Sequence, residues 1–196
     1  MTQPVTVINN FFNDSWQDKI DLFLKVQRHA PIWFTNHDYF PKHLVSGTGV
    51  MLVSALPNPI DVEIKDYMME AGYFKRDPSY FAGLVYQGRA SSFTHWHKDT
   101  KLDLTGMPRS GISIYLNKTW DENWGGWFCW KDNDDDKTAH MICPEYNKAV
   151  LLSDDVLHST TIVNTSVPEP RLSIQIFFER AALADEYQYK RLHTDS

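Results

Sequence analysis

The pentapeptide HWHKD, which runs from His95 to Asp99, places two imidazoles and one carboxylate within five positions. Residues two apart on a β-strand project from the same face, so His97 and Asp99 would point to one side, and His95 would share it. A third ligand must come from elsewhere, and the choices are His140 and His158. Two histidines and one carboxylate suit a non-haem Fe(II) centre that uses oxygen. His97, Asp99 and His158 meet that requirement.

Each histidine also has an alternative interpretation. A His-x-Asp triplet alone is weak evidence, because most histidines at strand or surface positions bind no metal. His158 follows an acidic loop at the mouth of a predicted strand, whereas His140 is predicted to be a structural strand histidine. His95 is predicted to border the pocket, since better placed groups fill the site. A His-x-His pair of His95 and His97 would instead indicate a cupin-type metalloprotein, but residues 98–104 lack the glutamate that cupins usually add.

The elements that must position these residues are predicted to be strands. From about residue 81, short runs of β-branched and aromatic residues alternate with clusters of Gly, Asn, Asp and Pro, a pattern typical of strands. Eight runs are present: FAGLVYQG, SFTHWHKD, SGISIYLN, GGWFCWKD, TAHMIC, KAVLLSD, HSTTIV and RLSIQIFF. Eight strands fit a double-sheet jelly roll. The acidic run DNDDD between two of them is predicted to be a solvated hairpin loop, because it lacks the later Gly and Glu of a calcium loop.

Two amphipathic helices are predicted before these strands. In NDSWQDKIDLFLKVQRHA, Asn13 or Asp14 can cap a helix whose apolar residues follow at helical spacing. In NPIDVEIKDYMMEAGYF, Pro59 suits a first turn and Gly72 can end the helix. The stretch between them, residues 35–49, is predicted to be loop and irregular strand.

Length and composition favour a single domain. A chain of 196 residues with 42% hydrophobic and 14% aromatic residues can bury its own core. We expect a mainly β protein with supporting N-terminal helices: helical support in 1–80, a double-stranded β-helix (jelly roll) core in 81–180 and a C-terminal tail in 181–196. Its two cysteines, Cys129 and Cys143, indicate buried, reduced thiols rather than a disulfide framework.

Charge and hydropathy bear on partners and location. A net charge of -6 gives no global attraction to phosphate backbones or anionic lipids, so neither nucleic acid nor a membrane is expected as a partner. The N-terminus has no basic segment followed by an apolar run, and no stretch approaches the roughly 18 apolar residues of a spanning helix. We expect a cytoplasmic protein.

A longer succession of motifs resembles a known family. The stretch HKDTKLDLTGMPRSGISIYLNKTWDENWGGWFCW resembles the His-x-Asp, Tyr-Leu-Asn, Trp and Gly-Gly succession of the prolyl-4-hydroxylase-like branch of the 2-oxoglutarate and Fe(II)-dependent oxygenases. ICPEYNKAVLLSDDVLHSTTIV resembles the family's distal-His segment, and RLSIQIFF its closing Arg-bearing strand. Order and spacing agree across residues 81–179. The resemblance implies a distorted double-stranded β-helix in which His97, Asp99 and His158 hold iron.

Arg171 is the candidate for co-substrate binding. It lies in an otherwise apolar strand, and a guanidinium fork is well suited to neutralise the far carboxylate of 2-oxoglutarate. Ser173 shares its strand face and can add a hydrogen bond. By resemblance, Tyr115 reaches the same carboxylate and Tyr86 lies near co-substrate or substrate, although Tyr86 is one residue further from His97 than in the family. The segment NTSVPEP lengthens the approach to Arg171, for which a salt bridge is the alternative.

The resemblance implies a 2-oxoglutarate-dependent dioxygenase that uses O2, with ascorbate as a candidate reductant. Its expected reaction is hydroxylation of an amino-acid residue, by family default proline in a peptide or protein. A free amino acid or small metabolite is the alternative substrate. A jelly-roll protein that binds a partner without catalysis is the alternative class, and it would require the triad and Arg171 to be coincidental. Succinate release that depends on 2-oxoglutarate discriminates between the two classes.

Overall fold

The computed structural model describes residues 4–27, 34–35, 51–99 and 108–187. Within these ranges lie eleven strands and two α-helices: β1 (Val5–Ile8), α1 (Asp14–Gln27), β2 (Phe34–Thr35), β3 (Met51–Ala55), α2 (Ile60–Glu70), β4 (Phe81–Gly88), β5 (Thr94–His97), β6 (Arg109–Tyr115), β7 (Phe128–Trp130), β8 (His140–Ile142), β9 (Ala149–Ser153), β10 (His158–Thr160) and β11 (Arg171–Glu179). Short 3-10 turns cover Glu122–Trp124, Arg180–Ala182 and Asp185–Tyr187.

The strands form two antiparallel sheets. The larger has the order β1-β9-β6-β11-β4-β3-β2, and the smaller has the order β5-β10-β7-β8. All eight predicted strands are present as β4 to β11, which confirms the jelly-roll prediction. Strands β1, β2 and β3 were not predicted; β1 pairs with β9 and β3 pairs with β4. The segment 1–80 therefore extends the larger sheet as well as supplying helices.

Both helices contribute to a hydrophobic cluster with one face of the larger sheet. Asn13 rather than Asp14 caps α1, because Asn13 Oδ1 accepts a hydrogen bond from the backbone nitrogen of Trp16 at 3.1 Å. Beyond α2, Gly72 adopts a φ of +79°, which glycine tolerates without a Cβ clash. The cluster includes alternate residues of β6 and β11: Ile112, Ile114, Leu172, Ile174, Ile176 and Phe178. The intervening residues of these strands therefore face the other sheet.

The opposite face of the larger sheet borders a cavity. Tyr115, Val150 and Leu152 form a second cluster with Phe128 and Trp130 of the smaller sheet. The cavity between the sheets has a volume of about 50 Å³, and residues of both sheets line it.

The structure also bears on the predictions for the acidic run and for the two cysteines. The DNDDD run connects β7 and β8 as a largely exposed loop, and Lys98 Nζ lies 2.5 Å from Asp134 Oδ2, which confirms the solvated hairpin loop. Both cysteines are free, but Cys143 is only half-buried, so the predicted burial is correct for Cys129 alone. Residues 36–49 of the predicted loop lie outside the described residues. In the described ranges, no helix is long and apolar enough to cross a membrane.

Candidate metal and co-substrate site

Pairing between β5 and β10 brings the three predicted ligands together. His97 and His158 are direct partners in the ladder, and their ring centroids lie 4.3 Å apart. Asp99 Oδ1 lies 3.6 Å from His97 Nε2, and Asp99 Oδ2 lies 3.9 Å from His158 Nε2. One ligand atom from each residue lies within 4.8 Å of the other two. The arrangement could hold one metal ion with two nitrogens and one carboxylate oxygen.

Both imidazoles are oriented through their second ring nitrogen. His97 Nδ1 lies 2.7 Å from the carbonyl oxygen of His95, and His158 Nδ1 lies 2.9 Å from that of Val156. A protonated Nδ1 donates to each carbonyl, which leaves both Nε2 lone pairs available to a metal. Burial, and secondly the neighbouring His158, hold the pKa of His97 below its ordinary value. His97 is therefore neutral near pH 7, the form that binds a metal.

A β-bulge in β5 excludes His95 from this site. Thr94 pairs with Thr160 and His97 with His158, so three steps along β5 face two steps along β10. One extra residue in a strand breaks the alternation of its side chains. Thr94 and His97 line the cavity, whereas His95 is exposed and does not. The prediction that His95 shares the metal-facing side is wrong, and so is the His-x-His pair of the cupin alternative.

His140 lies apart from the triad, as predicted. It is an exposed residue of β8, and its Nε2 lies 2.9 Å from Asp132 Oδ2. Its ring stacks on that of Trp130 at a centroid distance of 5.1 Å. Its contacts are those of a structural strand residue.

Arg171 begins β11 with its side chain buried. The residue is 5% exposed and lines the cavity that contains the triad. Its Cζ lies 4.9 Å from the centroid of the Tyr115 ring. No carboxylate in the described part of the chain forms an ion pair with it, and its Nε has no hydrogen-bond partner. Burial lowers the pKa of Arg171, although Tyr115 opposes this effect. The salt-bridge alternative is thus not found among the described residues.

The ladder places three hydroxyl-bearing residues on or beside the Arg171 strand. Ser173 pairs with Tyr86 on β4 and with Tyr115 on β6. Ser173 and Tyr115 are completely buried, and neither hydroxyl forms a hydrogen bond of normal geometry with the described residues. Burial raises the pKa of Tyr115 to about 12, although the Arg171 charge opposes this, so its hydroxyl remains a neutral donor. Buried donors without partners are unusual in native proteins. Beside a buried guanidinium, they fit a carboxylate ligand.

Tyr86 lines the same cavity, on the strand next to β11. Its separation from His97 is one residue longer than the resemblance implies. The bulge in β5 adds one residue within that stretch. Because the bulge accommodates this extra residue, Tyr86 and His97 still line the same cavity.

Gly126 makes room for the Arg171 side chain. Gly126 has a φ of +67°, and a Cβ at this position would lie 2.7 Å from Arg171 Cδ and 3.3 Å from Val163 Cγ2. Both the backbone conformation and the close approach therefore require glycine. The Gly-Gly pair entered the sequence interpretation only through the resemblance, and the structure supplies its physical reason.

Sequence reasoning missed two polar residues of the cavity wall. Ser113 on β6 and Gln175 on β11 are direct cross-strand partners, and both line the cavity. They occupy inward positions of strands whose other residues are mostly apolar. A polar residue at an inward position of a strand could have identified Ser113 and Gln175 from the sequence, as it identified Arg171.

The 2OG-Fe(II) oxygenase superfamily matches residues 82–179, a range that includes every predicted site residue. No curated protein sequence matches the chain.

Several solved structures are similar in fold. A prolyl-4-hydroxylase from Pseudomonas putida has a TM-score of 0.67 at 14% identity, with 91% of this chain and 93% of that chain covered. A Trichoplax adhaerens prolyl hydroxylase, in complex with a hypoxia inducible factor oxygen degradation domain peptide fragment, has a TM-score of 0.69 at 12% identity, with coverages of 91% and 84%. HygX from Streptomyces hygroscopicus, with nickel, 2-oxoglutarate and hygromycin B bound, has a TM-score of 0.61 at 12% identity and the same coverages. At these identities the similarity establishes the jelly-roll fold.

Proposed function

The chain belongs to the 2OG-Fe(II) oxygenase superfamily, and we propose that it hydroxylates an amino-acid residue of a peptide or protein, with proline as the favoured residue. Membership makes it a 2-oxoglutarate-dependent dioxygenase with Fe(II) as its metal. One observation carries the proposal: the His97, Asp99 and His158 cluster shares a cavity with Arg171, a buried guanidinium that forms no ion pair with the described residues. A metal site and a carboxylate site in one cavity match the two ligands that this chemistry requires.

The donor sets fit both ligands. In our proposal, His97 Nε2, His158 Nε2 and the Asp99 carboxylate hold Fe(II), and this mixture of imidazole and carboxylate suits that metal. Bound Fe(II) and 2-oxoglutarate supply the oxidising chemistry: one atom of O2 enters a C–H bond of the substrate, and the other enters succinate as CO2 is released.

Arg171 is proposed to bind the far carboxylate of 2-oxoglutarate through its guanidinium fork. Tyr115 and Ser173 lie where they can donate their unpaired hydroxyls to the same carboxylate, and Tyr86 borders it. A protein that buries a cation and two donors without partners loses stability unless a ligand satisfies them. A bound 2-oxoglutarate carboxylate would therefore give partners to the Arg171 guanidinium and to the Tyr115 and Ser173 hydroxyls together.

The surrounding apolar residues keep the metal ligands in place. Phe128 stacks on the His158 ring at a centroid distance of 5.6 Å and an interplanar angle of 25°. Leu152 and Phe177 also line the cavity and give it an apolar wall. A rigid, largely dry site favours reaction of the bound substrate over unproductive oxidation.

Two structural neighbours are prolyl hydroxylases, which supports an amino-acid residue as the substrate. HygX is bound to hygromycin B, which supports the second candidate, a small metabolite. The fold is compatible with both, since function depends on the site and not on the fold.

The test is an assay of the purified protein with Fe(II), 2-oxoglutarate, ascorbate and O2. We expect slow 2-oxoglutarate-dependent succinate formation without added substrate, which a proline-containing peptide library accelerates with the gain of one oxygen in the product. His158→Ala is the matched control, and it should form no succinate. Absence of succinate from the iron-loaded wild type would refute the dioxygenase assignment. Acceleration by metabolites but not by peptides would select the second candidate.

A further inference from the structure

We propose that Gln175 and Ser113 form a hydrogen-bonding pair that recognises a neutral amide group of the primary substrate. The reacting residue would then be bound within an amide linkage rather than as a free amino acid. This inference rests on the proposed function and specifies its substrate class.

The two side chains lie together on the cavity wall. Gln175 and Ser113 are direct partners in the antiparallel ladder between β11 and β6. The Cβ atoms of such partners are about 5 Å apart, so both side chains can contact one ligand group. Ser113 is 7% exposed, and neither side chain has a hydrogen-bond partner among the described residues. Ser113 is buried and Gln175 is half-buried, and a ligand in the cavity can supply the hydrogen-bond partners that such groups need.

The pair lies further along β11 than the proposed co-substrate anchor. Gln175 is four residues from Arg171, about 13 Å along the strand. Ser173 lies between them, beside Tyr115. A co-substrate bound by Arg171 and Tyr115 would therefore lie closer to Ser173 than to Gln175. Gln175 and the next inward residue, Phe177, remain available to the primary substrate.

The chemistry of the cavity favours a neutral group at this position. A primary amide and a hydroxyl both donate and accept hydrogen bonds, and neither carries charge. The ionisable side chains among the described lining residues are those of the triad, Arg171 and Tyr86, which the proposed function assigns to metal and co-substrate. A free amino acid would bury an ammonium and a carboxylate with no opposite charge left for them, which is costly. A peptide amide needs no counter-charge.

Apolar residues complete the proposed subsite. Phe177 and Met51 line the same cavity as the pair. They can contact the aliphatic part of a residue whose amide is held by Gln175. The subsite therefore combines an amide anchor with an apolar wall.

The experiment compares matched ligands in the iron-loaded protein with 2-oxoglutarate and O2. The probes are the proteinogenic amino acids, each supplied free and as its N-acetyl, N-methylamide derivative. Succinate formation above the basal rate and the gain of one oxygen in the probe are measured. The variants are Gln175→Leu and Ser113→Ala.

The matched controls make the same changes on the helix-facing side of the larger sheet. Gln87→Leu lies on β4 opposite Leu172, which belongs to the helix-side cluster. Ser110→Ala lies on β6 opposite Phe178 of the same cluster. Both controls should leave the probe preference unchanged.

We expect at least one capped amino acid to be preferred over its free form by roughly tenfold or more, as the loss of one such recognition contact would predict. Gln175→Leu and Ser113→Ala should each reduce that preference, with the KM for 2-oxoglutarate unchanged. Equal or better use of free amino acids would overturn the inference. So would a preference that survives in both variants, or a change confined to the KM for 2-oxoglutarate. A response to neither series also overturns it, and intact basal succinate formation then shows that the dioxygenase assignment still holds.

Discussion

Replacement of Arg171 by methionine should stabilise the protein in the absence of 2-oxoglutarate and abolish its response to 2-oxoglutarate. Arg171 is 5% exposed, has no ion pair in the described chain, and leaves its Nε unsatisfied. An unpaired buried cation costs several kcal/mol. The Tyr115 ring face, 4.9 Å from Cζ, offsets about 2 kcal/mol of that cost. Methionine retains much of the apolar stem. We therefore expect the free energy of unfolding to rise by about 1–3 kcal/mol.

The assay is urea denaturation of the Fe(II)-loaded protein under anaerobic conditions, with and without 2-oxoglutarate. At a 2-oxoglutarate concentration of about 100 times its Kd, the wild type should gain about 2.7 kcal/mol from binding. The methionine variant should gain nothing. Arg171→Lys is the control, because lysine keeps the charge but loses the planar fork. It should show no gain in basal stability and a weak response to 2-oxoglutarate.

Two results would refute this reasoning. A methionine variant less stable than the wild type without 2-oxoglutarate would mean that the Arg171 guanidinium is already satisfied in the free protein. Undiminished stabilisation of the variant by 2-oxoglutarate would place the carboxylate on another residue.

Three further changes test other parts of the site and fold. His158→Ala should abolish Fe(II) binding in calorimetry and leave the circular dichroism spectrum unchanged, since the imidazole serves the metal more than the packing; unchanged iron affinity would exclude His158 as a ligand. Gly126→Ala forces a Cβ to 2.7 Å from Arg171 Cδ at a φ of +67°, so the KM for 2-oxoglutarate should rise more than kcat falls, and an unchanged KM would contradict the proposed role of Gly126. Hydrogen bonds, first that from Arg76, lower the pKa of Glu179 from its ordinary 4.5 to about 2. The carboxylate therefore stabilises the fold above pH 4.5 and loses that effect as pH falls toward 2. Glu179→Gln should lose less stability over that interval, whereas parallel curves of stability against pH would argue against the effect.

The strands of the core and the first helix were predictable because their patterns are local. Each of the eight runs carries its own alternation or β-branched content, and Asn13 lies directly before the first helical turn. The short strands β1 and β3 were missed, because their assignment depends on pairing with β9 and β4 and not on a distinctive internal pattern. The assignment of these two short strands therefore depends on the sheet as a whole.

For the candidate site, the sequence determined the two-residue spacing of His97 and Asp99 and the presence of a cation in the apolar strand of Arg171. The inward position of Arg171 follows from the period of a single strand, whereas Asp99 lies beyond the end of β5 at His97, so strand period does not explain its position. Only the tertiary structure decided that His158 lies opposite His97, that a bulge turns His95 away, and that Ser113 lies opposite Gln175. Register and bulges arise from the pairing of strands distant in sequence, and a one-residue shift moves a side chain to the opposite face. A local sequence pattern cannot show the register of a strand pair, because register depends on both strands.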